Sequence, residues 1–342
     1  MKLLVVTYGS KDHASSRTRA IQYFDVFFKN NFEINHIPLR PFLKKGSLFY
    51  LYRFVFKRLK KIQLFLTLLF KNNELIFSNR YAFNSLELFI IKLRKINLIF
   101  DFDDAIYLGS NKKLKQVTNT VLYAKSVIVS TPFLKEFCSQ KGVNPIVIPT
   151  SVDDKIFFPS NNIEEIKKNK TIVIGWMGSP STSKYLFKIK NTLIRLQNEF
   201  DIKFIFIGVG EHFKIDGLVF ENSTWYLEKE AEYLRKFDIG IMPLIDDQWE
   251  KNKGGYKLYL YFASGIPAVA SSVGINSSII IENKNGFIAD NEQDWYEKLK
   301  FLILNEKERK AMGEFAYSDF LAKYSKSKCA NELIHVFKNI KD

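Results

Sequence analysis

Four short stretches of this 342-residue chain combine residue types that could handle anions or hydroxyl groups. The densest is Lys253-Gly254-Gly255-Tyr256-Lys257. Two glycines opening a helical pattern let backbone N–H groups approach an anion closely, and the helix N-terminus adds partial positive charge. Lys253 and Lys257 flank them and could neutralise a diphosphate. The plainer alternative is a loop and a helix that pack, with the lysines in solvent. A second stretch, Gly178-Ser179-Pro180-Ser181-Thr182, follows an apolar run, and its hydroxyls suit either a helix cap or a phosphate. The third holds Gly9, Ser10, His13, Ser16, Arg17 and Arg19 after the first apolar run. Arginine in a strand-to-helix loop suits bidentate contact with phosphate or carboxylate, although an exposed helix start reads equally well. The fourth, Asp101-Phe102-Asp103-Asp104, places three carboxylates at a strand end. They could hold a divalent metal, exchange protons or bind acceptor hydroxyls, or serve as a turn and a cap.

Other chemistries find no support. His13, His36, His212 and His335 lack metal-ligand spacing with one another or with a cysteine, and His36 reads as a structural strand residue. No nucleophile elbow, Walker loop or zinc pattern occurs. Cys138 and Cys329 are too few for a disulfide scaffold and fit a reducing compartment.

The elements that must position these stretches alternate. Apolar strand-like runs at 2–8, 33–37, 74–77, 96–102, 126–130 and 145–148 are separated by helical patterns such as 18–29 and 83–94. Continuous runs such as Leu3-Leu4-Val5-Val6 are typical of parallel strands buried on both faces. The alternation pauses after Pro149 and restarts with strands near 171–176, 202–207, 218–220, 239–242, 268–270 and 287–289. This predicts an α/β chain of two doubly wound domains facing across a cleft: 1–155, a linker at 156–170, and 171–318. An amphipathic tail, 319–342, is expected to pack back toward the first domain.

The charge is uneven. Lys plus Arg number 51 against 36 Asp plus Glu, a net +15 that favours an anionic partner. Residues 40–71 carry nine of these charges (Arg40, Lys44, Lys45, Arg53, Lys57, Arg58, Lys60, Lys61 and Lys71) and no acid. With Phe49, Tyr52, Phe56 and Phe65 around them they predict a basic, aromatic helix suited to an anionic membrane surface; the alternative is a core-packing helix with a solvated basic face. No nucleic-acid reader motif appears, so nucleic acid is not an expected partner. No apolar run reaches the length of a membrane span, and the N-terminus reads as a strand, not a signal peptide.

The order of several motifs adds a resemblance. The series 237–244, 246–249, Gly254-Gly255-Tyr256-Lys257 and Ala263-Ser264-Gly265-Ile266-Pro267, with Val273-Gly274, Asn285-Gly286-Phe287 and the 175–180 loop, resembles the donor domain of glycosyltransferase family 4. Asp101–Ala105 continues the likeness into the first half. The resemblance implies a GT-B fold and a retaining hexosyltransferase that needs no metal or other cofactor. Its partners are then a nucleotide-diphosphate sugar donor and a glycan or lipid-linked acceptor of bacterial surface polysaccharide assembly. The basic helix of residues 40–71 is then expected to hold the protein peripherally on the cytoplasmic face of the inner membrane. By the same resemblance Lys257, Gly178 and Ser179 contact the donor diphosphate, with Thr182, Lys253, Gly254, Gly255, Tyr256 and Glu250 around it. Arg17 faces donor phosphates and acceptor, Asp103 and Asp104 lie near the acceptor, and Gly9, Ser10, His13, Ser16 and Arg19 form the adjoining loop. Many members carry two glutamates with seven residues between them. Those positions here are Asn252 and Leu260, and Glu250 is the nearest carboxylate to the first. The rival readings are a catalytically silent membrane scaffold and a metal-dependent GT-A transferase.

Overall fold

A computed structural model describes residues 1–40, 49–159 and 171–340. The chain divides into two compact units, Met1–Ser151 with Lys326–Asp342, and Val152–Ser325.

In the first unit the elements run β1 (Lys2–Thr7), α1 (Ala14–Arg19), α2 (Phe24–Lys29), β2 (Glu33–Pro38), α3 (Phe49–Phe70), β3 (Leu75–Asn79), α4 (Ser85–Leu93), β4 (Asn97–Phe102), α5 (Asn111–Tyr123), β5 (Ser126–Val129), α6 (Pro132–Ser139) and β6 (Ile146–Val147). All pairings are parallel, in the order β2-β1-β3-β4-β5-β6. Leu3 and Val5 turn to one face and Leu4 and Val6 to the other, and each face has its own apolar cluster. The continuous apolar runs follow from that two-sided burial.

The second unit runs β7 (Ile172–Met177), α7 (Lys190–Glu199), β8 (Ile202–Ile207), β9 (Glu221–Ser223), α8 (Glu230–Leu234), β10 (Ile239–Met242), α9 (Gln248–Lys251), α10 (Tyr256–Ala263), β11 (Ala268–Ala270), α11 (Asn276–Ile279), β12 (Gly286–Ile288), α12 (Glu292–Leu304) and α13 (Glu306–Lys323). Its sheet, also parallel, has the order β12-β11-β10-β7-β8-β9. The order reverses between β7 and β10, and in the first unit between β1 and β3. In open parallel sheets such switch points leave a crevice at the strands' carboxyl ends, where ligands bind.

The two doubly wound α/β units match the sequence expectation; several local elements differ. The helix expected at 18–29 is broken into α1, a 3-10 turn at Ile21–Tyr23, and α2. The strand expected at 218–220 lies three residues on, at β9, because Leu218 and Phe220 pack on the apolar cluster beneath α7. The single tail helix is two: α13 stays with the second unit, and α14 (Lys326–Asn339) joins the first. α14 inserts Cys329, Leu333 and Phe337 among Phe27, Phe32 and Phe77, with ring centroids 5.2–5.7 Å from Phe337. Most of the expected 156–170 linker, with Lys44 and Lys45 and the side chain of Arg53, lies outside the described residues.

One buried ion pair ties the carboxyl ends of the first sheet. Arg19 of α1 and Asp101 of β4 are almost fully buried. The Arg19 guanidinium donates to both Asp101 oxygens and to the Ile148 carbonyl at 2.7 Å. Asn79, at the end of β3, donates to Asp101 at 2.8 Å. Removing one partner strands a charge in the interior. Arg19→Met is expected to cost about 3–5 kcal/mol in urea unfolding, and Arg19→Met/Asp101→Leu to recover most of it.

Candidate functional site

The second unit's switch point is built from glycine turns and one lysine. β7 ends at Met177 and the chain turns at Gly178, whose N–H donates to the Ile207 carbonyl at 3.0 Å. Gly208 lies against that turn with φ +76°, and a Cβ there would sit 2.4 Å from the Gly178 carbonyl oxygen. Only glycine tolerates both the conformation and the approach. The next residues close a hydroxyl-rich turn. Ser179 N–H donates to Thr182 Oγ1 at 3.2 Å, and the Ser179 hydroxyl lies 2.9 Å from that of Ser181. Ser179 remains exposed.

The chain after β10 supplies the other wall. Asp247 caps α9 by accepting from Glu250 N–H at 2.8 Å. That cap turns the Glu250 side chain inward, where it is buried. Tyr185 donates its hydroxyl to Glu250 Oε1 at 2.5 Å, and Lys253 Nζ pairs with Oε2 at 2.5 Å. Burial, then Glu250, pushes the Tyr185 phenol up, so it stays a donor. Gly255, with φ +69°, starts α10 and puts Lys257 in its first turn.

Lys257 is the odd charge. Its ammonium lies 4.1 Å from the centre of the fully buried Trp176 ring. Among the described residues no carboxylate lies within ion-pair distance of it. Burial, then the neighbouring Lys253, depresses its pKa to about 7, with Glu250 opposing. A cation over an aromatic face is attracted to the ring's negative quadrupole, which holds it in place without neutralising it. Trp176 also lies under Gly178, where a Cβ would meet its ring at 2.4 Å. Gly178, Trp176 and Lys257 therefore form one layer, and Glu250, Lys253 and Tyr185 form the layer beside it. Such a site can take an anion with two or more charges.

Thr182, Gly254 and Tyr256 stand on these turns as the sequence places them. Asn252 is partly buried at the end of α9, and Leu260 is enclosed in the apolar cluster under α10. Trp176 and Tyr185 were not singled out from sequence. They look like core aromatics, and only their contacts with Lys257 and Glu250 show what they position.

In the first unit the acidic trio divides between two arginines. Asp101 belongs to Arg19, as described above. Asp104 accepts from Arg80 Nη1 at 2.6 Å, and Asp103 lies 3.5 Å from the same nitrogen while accepting from Ser15 at 2.7 Å. Arg19, expected in an acceptor loop, is therefore an interior structural residue. Ser16 is fully buried and accepts from Gly9 N–H at 3.1 Å. The Ser10 hydroxyl donates to Asp12, and Arg17 donates to the Lys11 carbonyl at 3.1 Å. His13 packs edge-on to Tyr8, at 4.9 Å between centroids. Burial, then Arg80, lowers its pKa to about 4, so it is neutral at neutral pH. Arg80 was missed in the sequence; its mark is a non-glycine residue at φ +59° directly after β3.

Comparison with known proteins places this geometry. Residues 157–319 match the model of the family described as glycosyl transferases group 1. An uncharacterized glycosyltransferase of Methanocaldococcus jannaschii is 29% identical over 224 residues, covering 56% of this chain. That match spans 62% of the relative's length. A glycosyltransferase from Rickettsia africae superposes with a TM-score of 0.72 at 16% identity, covering 100% of this chain and 98% of that one. Sucrose-phosphate synthase from Thermosynechococcus elongatus gives 0.69 at 11% identity, over 99% of both chains. Anabaena HepE, solved with UDP and glucose, gives 0.68 at 13% identity, over 99% of both. The chain has the two-unit, Rossmann-like α/β fold of GT-B proteins, and the match to the group 1 glycosyl transferase model lies almost wholly in its second unit.

The Lys257 environment makes a signed prediction. The unfolded chain keeps the lysine proton up to about pH 10.5, whereas the folded protein releases it near 7. The wild type therefore gains stability across that window. Lys257→Met should be more stable than the wild type at about pH 6, and the gap should close as pH rises toward 10. Denaturant titrations at three pH values read it, and a pH-independent gap contradicts the depressed lysine.

Proposed function

We propose that this protein is a GT-B glycosyltransferase that binds a nucleotide-diphosphate sugar in its second unit and transfers the sugar with retention of anomeric configuration. The observation that carries the reading is Lys257, a cation held over Trp176 with no carboxylate partner among the described residues, beside the Gly178 and Gly255 turns. The family match over 157–319 and the UDP found with the Anabaena neighbour support it.

The chemistry follows from charge. As the glycosidic bond to the diphosphate breaks, negative charge grows on the leaving oxygens. Lys257 and the first-turn N–H groups of α10 meet that charge, and preorganised stabilisation of this kind is commonly the largest catalytic term. The depressed lysine takes up a proton as the dianion arrives, so donor binding becomes weaker above neutral pH. The departing phosphate can accept the acceptor's proton on the same face, which gives retention without a dedicated protein base or a metal. Tyr185 and Glu250 hold Lys253 in place. Leu260, enclosed in the core where many members of glycosyltransferase family 4 have a glutamate, favours the rival reading of a silent scaffold.

The acceptor reading is a glycan or lipid-linked acceptor at an anionic membrane, as in bacterial surface polysaccharide assembly. On α3, at about 100° per residue, Tyr52, Val55, Leu59, Ile62, Leu66 and Phe70 share one side, and most of that stripe is exposed. The adjacent α4 exposes Leu86, Phe89 and Leu93. Arg58 and Lys60 flank the stripe, and each cation near an anionic surface adds about 1 kcal/mol. No helix among the described residues is long and apolar enough to cross a membrane.

Lys257→Ala is expected to lower turnover by roughly 10²-fold, about 2.7 kcal/mol of transition-state stabilisation. A thermal-shift panel of nucleoside diphosphates, with and without EDTA, should show one EDTA-insensitive base preference. No shift with any base favours the scaffold. In flotation, phosphatidylglycerol-rich liposomes should carry the protein, and Leu59→Gln/Ile62→Gln/Leu66→Gln should abolish this; equal flotation of both removes α3 from membrane binding.

A further inference from the structure

The basic segment of the first unit does more than lie beside an apolar stripe. On α3, Lys57 and Lys61 share the inner side with Leu64 and Leu68, opposite the exposed stripe. They line an open pocket of about 180 Å³ with Arg40, Arg80 and Lys113. No aspartate or glutamate is among its lining residues. Tyr8 forms one wall, with the Arg40 guanidinium 4.0 Å and that of Arg80 5.7 Å from the ring centre. Tyr8 follows β1 and Arg80 follows β3, so the pocket opens at this unit's switch point, where parallel sheets bind ligands.

Arg80 is built for this place. Its left-handed backbone conformation is costly for a residue with a side chain, and such strain concentrates at functional positions. Asp103 and Asp104 hold one end of the guanidinium, while its buried Nε has no hydrogen-bond partner among the described residues. Burial, then Arg80 and Arg40, lowers the Lys113 pKa, so these cations feel one another. Lys61 and Lys113 face this space beside Arg80, whose charge Asp103 and Asp104 share only in part, and an anion there relieves their mutual repulsion. A single carboxylate would neutralise little of that charge; a diphosphate, with two to three charges and tetrahedral oxygens for two guanidiniums, matches it.

We propose that this pocket is a diphosphate-binding subsite, separate from the Lys257 site of the second unit, and that it holds the phosphates through which the acceptor is carried. The word acceptor rests on the glycosyltransferase reading; the anion site itself does not. The apolar stripe on the opposite side of α3 makes a lipid diphosphate the natural source.

The test uses the full chain carrying Lys257→Ala, which removes the second unit's lysine that has no carboxylate beside it, while Lys253 stays paired with Glu250. Calorimetric titration with inorganic pyrophosphate should show binding, and adding Lys61→Gln or Lys113→Gln should weaken it at least tenfold, equivalent to about 1.4 kcal/mol. Lys113→Gln should unfold no earlier than its parent without ligand, since it relieves repulsion, which separates lost binding from lost folding. Farnesyl diphosphate binding much more tightly than pyrophosphate, with farnesol inert, identifies a lipid source; equal binding identifies a phosphate on a soluble acceptor. Pyrophosphate binding that is absent, or unchanged in both pocket variants, overturns the subsite. A nucleotide panel without shifts would sink the donor reading while leaving this result intact.

Discussion

The cost of holding a cation out of water organises both units. Arg19 meets that cost with both Asp101 oxygens and the Ile148 carbonyl around it, and so becomes part of the interior. Arg80 is satisfied at one end by Asp103 and Asp104 and bare at Nε. Lys257 has only an aromatic face and a distant carboxylate's field, and its proton is loosely held. The series runs from structure to chemistry. A buried charge with its partner in place stabilises a fold, whereas one without a partner is available to a ligand that brings the opposite charge.

Backbone geometry puts those charges where ligands arrive. Parallel strands end together, and reversal of strand order opens a crevice between two of the ends. In the second unit that point joins the Gly178 turn to the chain after β10; in the first it joins Tyr8 to Arg80. Gly208 lets backbone approach the Gly178 carbonyl, and Gly178 and Gly255 leave room for the Trp176 ring and the Ile279 side chain, where a Cβ would collide. The aromatic residues carry the side chains across the gap: Trp176 under Lys257, Tyr185 against Glu250, Tyr8 under two guanidiniums.

The basic helix shows a feature that a one-dimensional reading finds while leaving its orientation open. Nine cations without an acid, among aromatics, are plain in residues 40–71. One expectation lays the helix on an anionic membrane surface; the alternative packs its apolar side on the core and leaves its basic side in solvent. In the structure Leu64 and Leu68 pack on the core, the exposed Lys57 and Lys61 on that same side line a pocket, and a second apolar stripe faces out. Periodicity defines the two sides of a helix; it does not say which side the body covers.

Strand and helix alternation, two-sided apolar runs and the order of the glycine motifs determined by themselves the α/β class, the two parallel sheets and the stretches that hold the sites. These are local properties, set by burial on both faces of a strand and by the conformations that glycine alone adopts. Asp101, Asp103 and Asp104 read as one cluster, yet Arg19 and Arg80 divide them, because pairing depends on residues about twenty to eighty positions away. The place of Tyr185 beside Glu250 and the convergence of Arg40, Lys57, Lys61, Arg80 and Lys113 on one pocket were decided only by tertiary structure. A charge's meaning lies in what surrounds it in space, and adjacency in space is what the linear order of residues leaves open.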